Sequence, residues 1–276
     1  MKHLNNKVAV ITGGGSGIGK ELALQLSAKG AKVALLDIRE ENLQTTLQAI
    51  KDQGGEGMTR CVDVTNRADM YACKDEVIQH FGQVDIVINN AGIGLPSKTI
   101  ENVEYDQLEK IVNINLWGVI YGTKAYLPHL KTRPEAAVVN ISSMFGLVGF
   151  PEQSGYCITK FAVRGFTETL RAELAMEKSN IIALTVHPGF IGTDLVKNIE
   201  YKQGEITSEE RATLEKEFAE VHAKTTPTEA VQQIIKAIQR KKTRVVIGSD
   251  ARAMDLLGRL FPTKYTGIML KKLFKS

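Results

Sequence analysis

The chain has 276 residues, 43% hydrophobic and 24% charged, which suits one α/β domain with a full core and excludes disordered, collagenous and coiled-coil proteins. Its formal net charge is only +4, with bases and acids mixed along most of the chain, which argues against nucleic acid as a partner. Cys61, Cys73 and Cys157 form no Cys-x-x-Cys pair and the histidines lack ligand spacing, so a reduced, cytoplasmic protein with no metal site is expected.

Residues 1–7 are short and polar, so no signal peptide is expected. Residues 8–11 are apolar and β-branched, end in a glycine cluster, and read as a buried strand. A helical pattern from Ile18 carries Leu22 and Leu26 to a stop at Gly30. Residues 32–36 form the next strand, closed by Asp37. A helix rich in Glu, Gln and Leu then runs to about Gln53, where Gly54 and Gly55 end it. Strand-like runs recur near 58–62, 84–88, 136–141, 181–186 and 244–247, with helical stretches between them. Continuous apolar strands alternating with helices predict a doubly wound, parallel seven-stranded sheet with helices on both faces. Residues 190–226 hold no clear strand, and 198–220 are strongly charged, so this stretch is expected to be a mobile helical lid over the active site. No apolar run reaches the roughly 18–20 residues a membrane span needs.

The link from first strand to first helix is Thr12-Gly13-Gly14-Gly15-Ser16-Gly17-Ile18-Gly19. Glycines let the backbone approach a pyrophosphate, and the following helix offers free N–H groups and a positive dipole end. Asp37 lies about 20 residues further on, where a carboxylate can accept from both ribose hydroxyls of NAD and repel the 2′-phosphate of NADP. It can also cap the helix from Glu40. Arg39 nearby leaves room for some use of NADP.

Further motifs follow in order: Asn89-Asn90-Ala91-Gly92, Asn113-Ile114-Asn115, Asn140-Ile141-Ser142-Ser143, Tyr156-x-x-x-Lys160 and Pro188-Gly189-x-x-x-Thr193. With the glycine motif, residues 7–193 closely resemble the short-chain dehydrogenase/reductase family. The resemblance implies a single Rossmann domain over 1–276 that binds a nicotinamide dinucleotide. It implies a catalytic set of Asn115, Ser143, Tyr156 and Lys160, with Lys160 also holding the nicotinamide ribose and Asn115 holding a relay water. It further implies cofactor contacts at Gly13, Ser16, Gly17, Ile18, Gly19 and Asp37, at Asp63 and Val64 closing the third strand, at Asn90, Ala91 and Gly92, and at Pro188, Gly189, Ile191 and Thr193.

The residue types suit that chemistry. Carbonyl reduction puts a hydride on carbon and a proton on oxygen. Tyrosine titrates near pH 10 and must titrate roughly 3 pH units lower to exchange that proton near neutrality. That is roughly 4 kcal/mol, which a charge at ~4 Å supplies at an effective dielectric of 20. Lys160, four residues on, shares a helix face with Tyr156, and its ammonium together with the oxidised nicotinamide can supply it. Ser143, or Ser142 as the competing choice, would hydrogen-bond the substrate oxygen. Cys157 is turned away and reads as packing.

Substrate loops are expected at 94–98, 144–153 and 190–226. Their Met144, Phe145, Leu147, Val148, Phe150, Phe190, Ile191 and Leu195, with no basic cluster, point to an apolar alcohol, ketone or aldehyde, steroid-like, retinoid-like or long-chain. A non-catalytic NAD-binding sensor or scaffold is the alternative, but it predicts erosion of the Ser–Tyr–Lys set, which is intact. Nucleotide-sugar enzymes tend to have a larger C-terminal region. A homodimer or homotetramer is expected through the helices carrying Asn115 and Tyr156, with Leu108, Ile111, Val112, Ala162, Phe166 and Leu170 in core or interface. After Asp255 no acid remains, while Arg259, Lys264, Lys271, Lys272 and Lys275 do. In this basic extension, 256–276, a helix over 265–275 would gather Met269, Leu270, Leu273 and Phe274 against the lysines, with Pro262 and Gly267 weakening its continuity. It is expected to pack on its own subunit or across a dimer; peripheral membrane contact is the competing reading.

Overall fold

The computed structural model describes residues 1–193, 195–201, 205–218 and 224–273, except the side chains of 272 and 273. Seven strands, β1 (Val8–Thr12), β2 (Lys32–Asp37), β3 (Gly57–Cys61), β4 (Ile86–Asn89), β5 (Ala136–Ile141), β6 (Ile181–Pro188) and β7 (Arg244–Ile247), build one sheet in the order β3-β2-β1-β4-β5-β6-β7. All its pairings are parallel. This is the expected doubly wound Rossmann architecture.

Strand alternation divides the core. Ala9 and Ile11 of β1 pack with α1 (Gly17–Ser27), α2 (Glu40–Asp52) and α8 (Pro227–Gln239) through Leu22, Leu26, Leu43, Ile50, Ile234 and Ile238. Val8 and Val10 pack the other way, with α3 (Arg67–Phe81), α5 (Gly118–Lys131) and α6 (Ser154–Met176), through Met70, Val77, Tyr126, Leu130 and Leu170. Each fully buried aliphatic side chain contributes about 1.5–3 kcal/mol. Thr226 caps α8 in a reciprocal box with Glu229, and Pro227 opens its first turn.

The chain winds outward from β1 in one direction and from β4 in the other, so a crevice opens between the carboxyl ends of β1 and β4. α4 (Tyr105–Val112) runs into α5 through a π turn over Asn113–Trp117. Beyond β6, Ile191 bridges Thr225, and α7 (Ser208–Glu217) lies within the 190–226 stretch. Lys98 pairs with Glu205 and Lys110 with Glu200, tying that stretch to the loop after β4 and to α4. The lid reading also covers 194, 202–204 and 219–223, which lie outside the described residues.

α9 (Ser249–Leu260) and α10 (Tyr265–Leu273) follow β7. The break at Pro262 matches expectation, but Gly267 lies inside α10. Nor do the apolar residues of α10 share one covered side: Met269 is buried and Leu270 is exposed. Phe274 and Lys275 lie outside the described residues. Among the described residues no helix is long and apolar enough to cross a membrane, and no cluster could hold a metal.

Candidate active site

The carboxyl ends of β1 and β4 are knotted together. Asn90 and Ala91 donate their N–H groups to the Thr12 hydroxyl at 2.9 and 3.0 Å. The Asn90 amide donates to the Thr12 carbonyl at 3.0 Å and the Gly13 carbonyl at 3.3 Å. Asn90 therefore builds the glycine loop. Gly13 and Gly17 turn that loop at φ +65 and +50, values that cost an L side chain strain. A Cβ on Gly19 would collide with the Gly13 carbonyl. Ser16 precedes α1 and makes no capping bond through its side chain.

These residues fit a dinucleotide. α1 has no acid in its first turn, whereas α2, α3 and α8 each have one or more, so the positive end of α1 is not neutralised by its own side chains. Asp37 ends β2 beside the loop. Its Oδ2 accepts from Gly15 N–H at 3.0 Å and its Oδ1 from Arg39 N–H at 3.1 Å. It does not cap α2, whose N-cap is Arg39. Each carboxylate oxygen keeps a second lone pair for a ribose hydroxyl. Thr193 lies over Gly17.

Four expected cofactor residues sit differently. β3 ends at Cys61, not at Asp63–Val64. The Asp63 carboxylate instead caps its own turn, accepting from Thr65 N–H at 2.9 Å. Val64 is buried in the α3–α5 core and packs on Gly118. Ile191 and Ile18 turn toward the other core cluster, Ile191 being fully covered. For these apolar residues the side chain serves packing, and a cofactor would meet their backbone.

The second half of the site forms where β5, α6 and the π turn meet. Lys160 is buried and its Nζ donates to the Ile141 carbonyl at 3.0 Å. It stands 5.4 Å from the centroid of the Tyr156 ring. The Ser143 side chain stands next to the Tyr156 phenol and favours its ionised form. The two serines differ in their partners: Ser142 Oγ donates to the Lys160 carbonyl at 2.8 Å and faces the helix backbone. Ser143 Oγ also accepts from Phe145 N–H at 3.2 Å, so it caps a short 3₁₀ turn as well. Asn115, fully buried in the π turn, clamps Ile93: its Oδ1 accepts from Ile93 N–H at 2.8 Å and its Nδ2 donates to the Ile93 carbonyl at 2.9 Å. A Cβ on Gly92 would lie 3.1 Å from Asn115 Oδ1 and 3.6 Å from Lys160 Nζ. Asn115, Ser143, Tyr156 and Lys160 therefore share one site, beside Gly92.

Burial dominates its electrostatics. Burial pushes the Tyr156 phenol up to about 12, with Ser143 pulling the other way. Burial pushes Lys160 down to about 8. Desolvation disfavours charge on both groups, and on the phenol it outweighs the help from Ser143.

Two buried polar features escaped the sequence. His187 Nδ1 lies 3.1 Å from the Ser143 carbonyl, so it must be the protonated ring nitrogen, and burial pushes this histidine down to about 4. Beneath the site, Asn89 donates to Thr123 Oγ1 at 3.0 Å and Asn140 Oδ1 at 2.8 Å, and Asn140 donates to Thr167 Oγ1 at 2.9 Å. Asparagines inside apolar strands were the available signal. Phe145 stacks on Phe150 at 4.7 Å and meets the rings of Tyr156 and Phe190 edge-on at 6.1 and 6.0 Å. Cys157 packs in the same cluster, as expected.

The profile of the short chain dehydrogenase family matches residues 7–204. The chain belongs to that family and is an oxidoreductase. SadH of Mycobacterium tuberculosis, which carries an oxidoreductase name, is 40% identical over 265 residues, covering 96% of this chain and 94% of that protein. Human estradiol 17-beta-dehydrogenase 11 is 29% identical over 273 residues, 99% of this chain and 85% of that protein. The solved short chain dehydrogenase/reductase from Burkholderia phymatum, in complex with NAD, superposes with a TM-score of 0.86 at 25% identity, covering 94% of this chain and 95% of that one.

Proposed function

We propose that the chain transfers a hydride between NAD(H) and the alcohol or carbonyl carbon of an apolar secondary alcohol, ketone or aldehyde. The observation that carries this reading is the convergence of Ser143 and the buried Lys160 on Tyr156, with Lys160 Nζ 5.4 Å from the centroid of its ring. When bound, the nicotinamide supplies or accepts the hydride and, oxidised, adds a positive charge near the phenol. Tyr156 passes the proton: it gives one to the substrate oxygen in reduction and takes one from the hydroxyl in oxidation. Ser143 donates a hydrogen bond to that oxygen. Lys160 has two further N–H groups beyond the one held by Ile141, for the ribose and for charge stabilisation of the phenolate. The Asn115 amide is committed to Ile93, so its main-chain carbonyl in the π turn is the group left to hold a relay water.

Gly13, Ser16, Gly17, Ile18 and Gly19 would receive the pyrophosphate, and Asp37 would favour NAD over NADP. Asp63, Val64, Asn90, Ala91 and Gly92 would border the adenosine, and Pro188, Gly189, Ile191 and Thr193 the nicotinamide. The aromatic wall of Phe145, Phe150 and Phe190 supports an apolar, steroid-like, retinoid-like or long-chain substrate. So does the name of the human relative, which is an estradiol dehydrogenase. We read 1–276 as one domain of a cytoplasmic protein, with 190–226 as its lid and 256–276 as an extension.

A homodimer or homotetramer suits the α4–α6 face. There Ile111 and Leu170 are core, Leu108, Val112, Ala162 and Phe166 are half-buried, and Trp117, Ile158 and Phe161 stand exposed. The test is a screen of apolar alcohols and ketones by nicotinamide absorbance, with NAD and NADP in parallel. Turnover that Tyr156→Phe abolishes supports the reading. Turnover that survives Tyr156→Phe, or cofactor binding with no turnover across the screen, overturns it.

A further inference from the structure

We propose that α9 and α10 form a docking surface for an anionic lipid membrane, set beside the substrate loop. Leu256 and Leu260 are one turn apart on α9 and are 58% and 63% exposed, and Phe261 and Ile268 beyond them are 45% and 43% exposed. Arg259, Lys264 and Lys271 stand exposed among them. From 256 to 276 the sequence holds five bases and no acid. Asp255, just before this stretch, is already paired with Arg244 at 2.6 Å and Arg259 at 3.1 Å. Exposed apolar side chains flanked by Lys264 and Lys271, which face no acid among the described residues, match the boundary between acyl chains and anionic headgroups. A second copy of this chain matches poorly, because a twofold contact sets the patch against itself and brings base to base.

The surface is continuous with the candidate site. The Tyr265 hydroxyl accepts from Gly149 N–H at 2.9 Å. Gly258 packs on Val148, where a Cβ would come within 2.8 Å of its Cγ1. Ala251 of α9 packs in the cluster of Met144, Phe145 and Tyr156. A substrate held in lipid would then reach the 144–150 loop without crossing water. The docking itself does not depend on the proposed reaction.

The test is co-sedimentation of the full chain with vesicles of phosphatidylglycerol and phosphatidylcholine, or of phosphatidylcholine alone, at low and high salt. Sedimentation with the anionic vesicles only, weakened by salt, is expected. The pair Leu256→Asp/Leu260→Asp should lower the bound fraction about tenfold or more, as should Lys264→Glu/Lys271→Glu. Thermal melting and sedimentation velocity are run on each variant. No binding of the parent chain to anionic vesicles overturns the proposal, as does binding that both variants retain. A smaller particle for the leucine pair also overturns it, because the face is then a subunit contact.

Discussion

At the amino ends of β1 and β4 the buried polar group is a carboxylate wrapped in charge. Asp85 is fully buried, accepts from Val8 N–H at 3.0 Å and from Arg133 Nε at 3.0 Å, and has Lys7 Nζ at 3.5 Å. At the carboxyl ends the buried groups are amides, hydroxyls, a histidine and a lone lysine, and burial leaves the charged forms of Tyr156 and Lys160 disfavoured. The first end has spent its charges on holding strands together. At the second, Tyr156 and Lys160 have no oppositely charged partner among the described residues, as suits a site that must move a proton.

That contrast predicts opposite outcomes for two single substitutions. Tyr156→Phe should lower turnover about 10²–10⁴-fold while leaving melting temperature and cofactor affinity nearly unchanged. Steady-state rates and cofactor titration on the same preparation check this. Asp85→Ala strands the Arg133 guanidinium and Val8 N–H. It should cost about 3 kcal/mol, at the low end for a buried pair because Arg133 is partly exposed, and lower the melting temperature by roughly 5–10 °C. Rate per folded molecule should hold. Loss of turnover without loss of stability in Asp85→Ala would erase the distinction between the ends.

The same contrast marks what could be read in advance. Tyr156 and Lys160 are four residues apart on one helix, and the glycines of 13–19 lie in one turn, so local spacing displays both. The parallel sheet was legible because apolar strands alternate with helices. Asp85, His187 and the Asn89–Asn140 pair act across 77, 44 and 51 residues, and no local pattern announces such contacts. The titration of Tyr156 was only partly legible for a related reason. Helical spacing shows that Lys160 is near, but not that both groups are buried deeply enough for desolvation to dominate. Val64 and Ile191 fell where a cofactor contact was expected, but their side chains turn into the core.

His187 sharpens the comparison, because it is a titratable group at the carboxyl end that carries a structural bond. Its folded value of about 4 lies below the ordinary 6.5. The unfolded chain therefore binds a proton more readily, and stability is complete above pH 6.5 and lost as pH falls toward 4. The loss amounts to roughly 3 kcal/mol. His187→Asn keeps a donor for the Ser143 carbonyl and removes the titration, so its melting temperature should fall less across that window. His187→Leu removes the donor and should lower kcat several-fold with little change in cofactor affinity. An acid melting profile identical in parent and His187→Asn would show that the imidazole is not held neutral.

The smallest expected effect concerns Asp37, which belongs to both kinds of end at once. Its Oδ2 fastens Gly15 and its Oδ1 fastens Arg39, while its remaining lone pairs face the position proposed for the ribose. Asp37→Ser removes the charge that would repel a 2′-phosphate and also releases the Gly15 amide. Both cofactors should therefore bind less well, with NAD losing more than NADP. Arg39 bears on the size of the change. Its guanidinium lies 3.4 Å from Asn198 Oδ1, a long contact that a phosphate can displace. The ratio of the NAD to the NADP dissociation constant should rise about tenfold in Asp37→Ser, equivalent to 1.4 kcal/mol. Adding Arg39→Ala should reverse part of that shift by removing the only nearby cation proposed to meet the phosphate. Fluorescence titration of reduced cofactors against the four proteins of this cycle measures both terms. A ratio that stays constant in Asp37→Ser, with both affinities equally reduced, would leave Asp37 as a structural tie like Asp85 and no longer a discriminator.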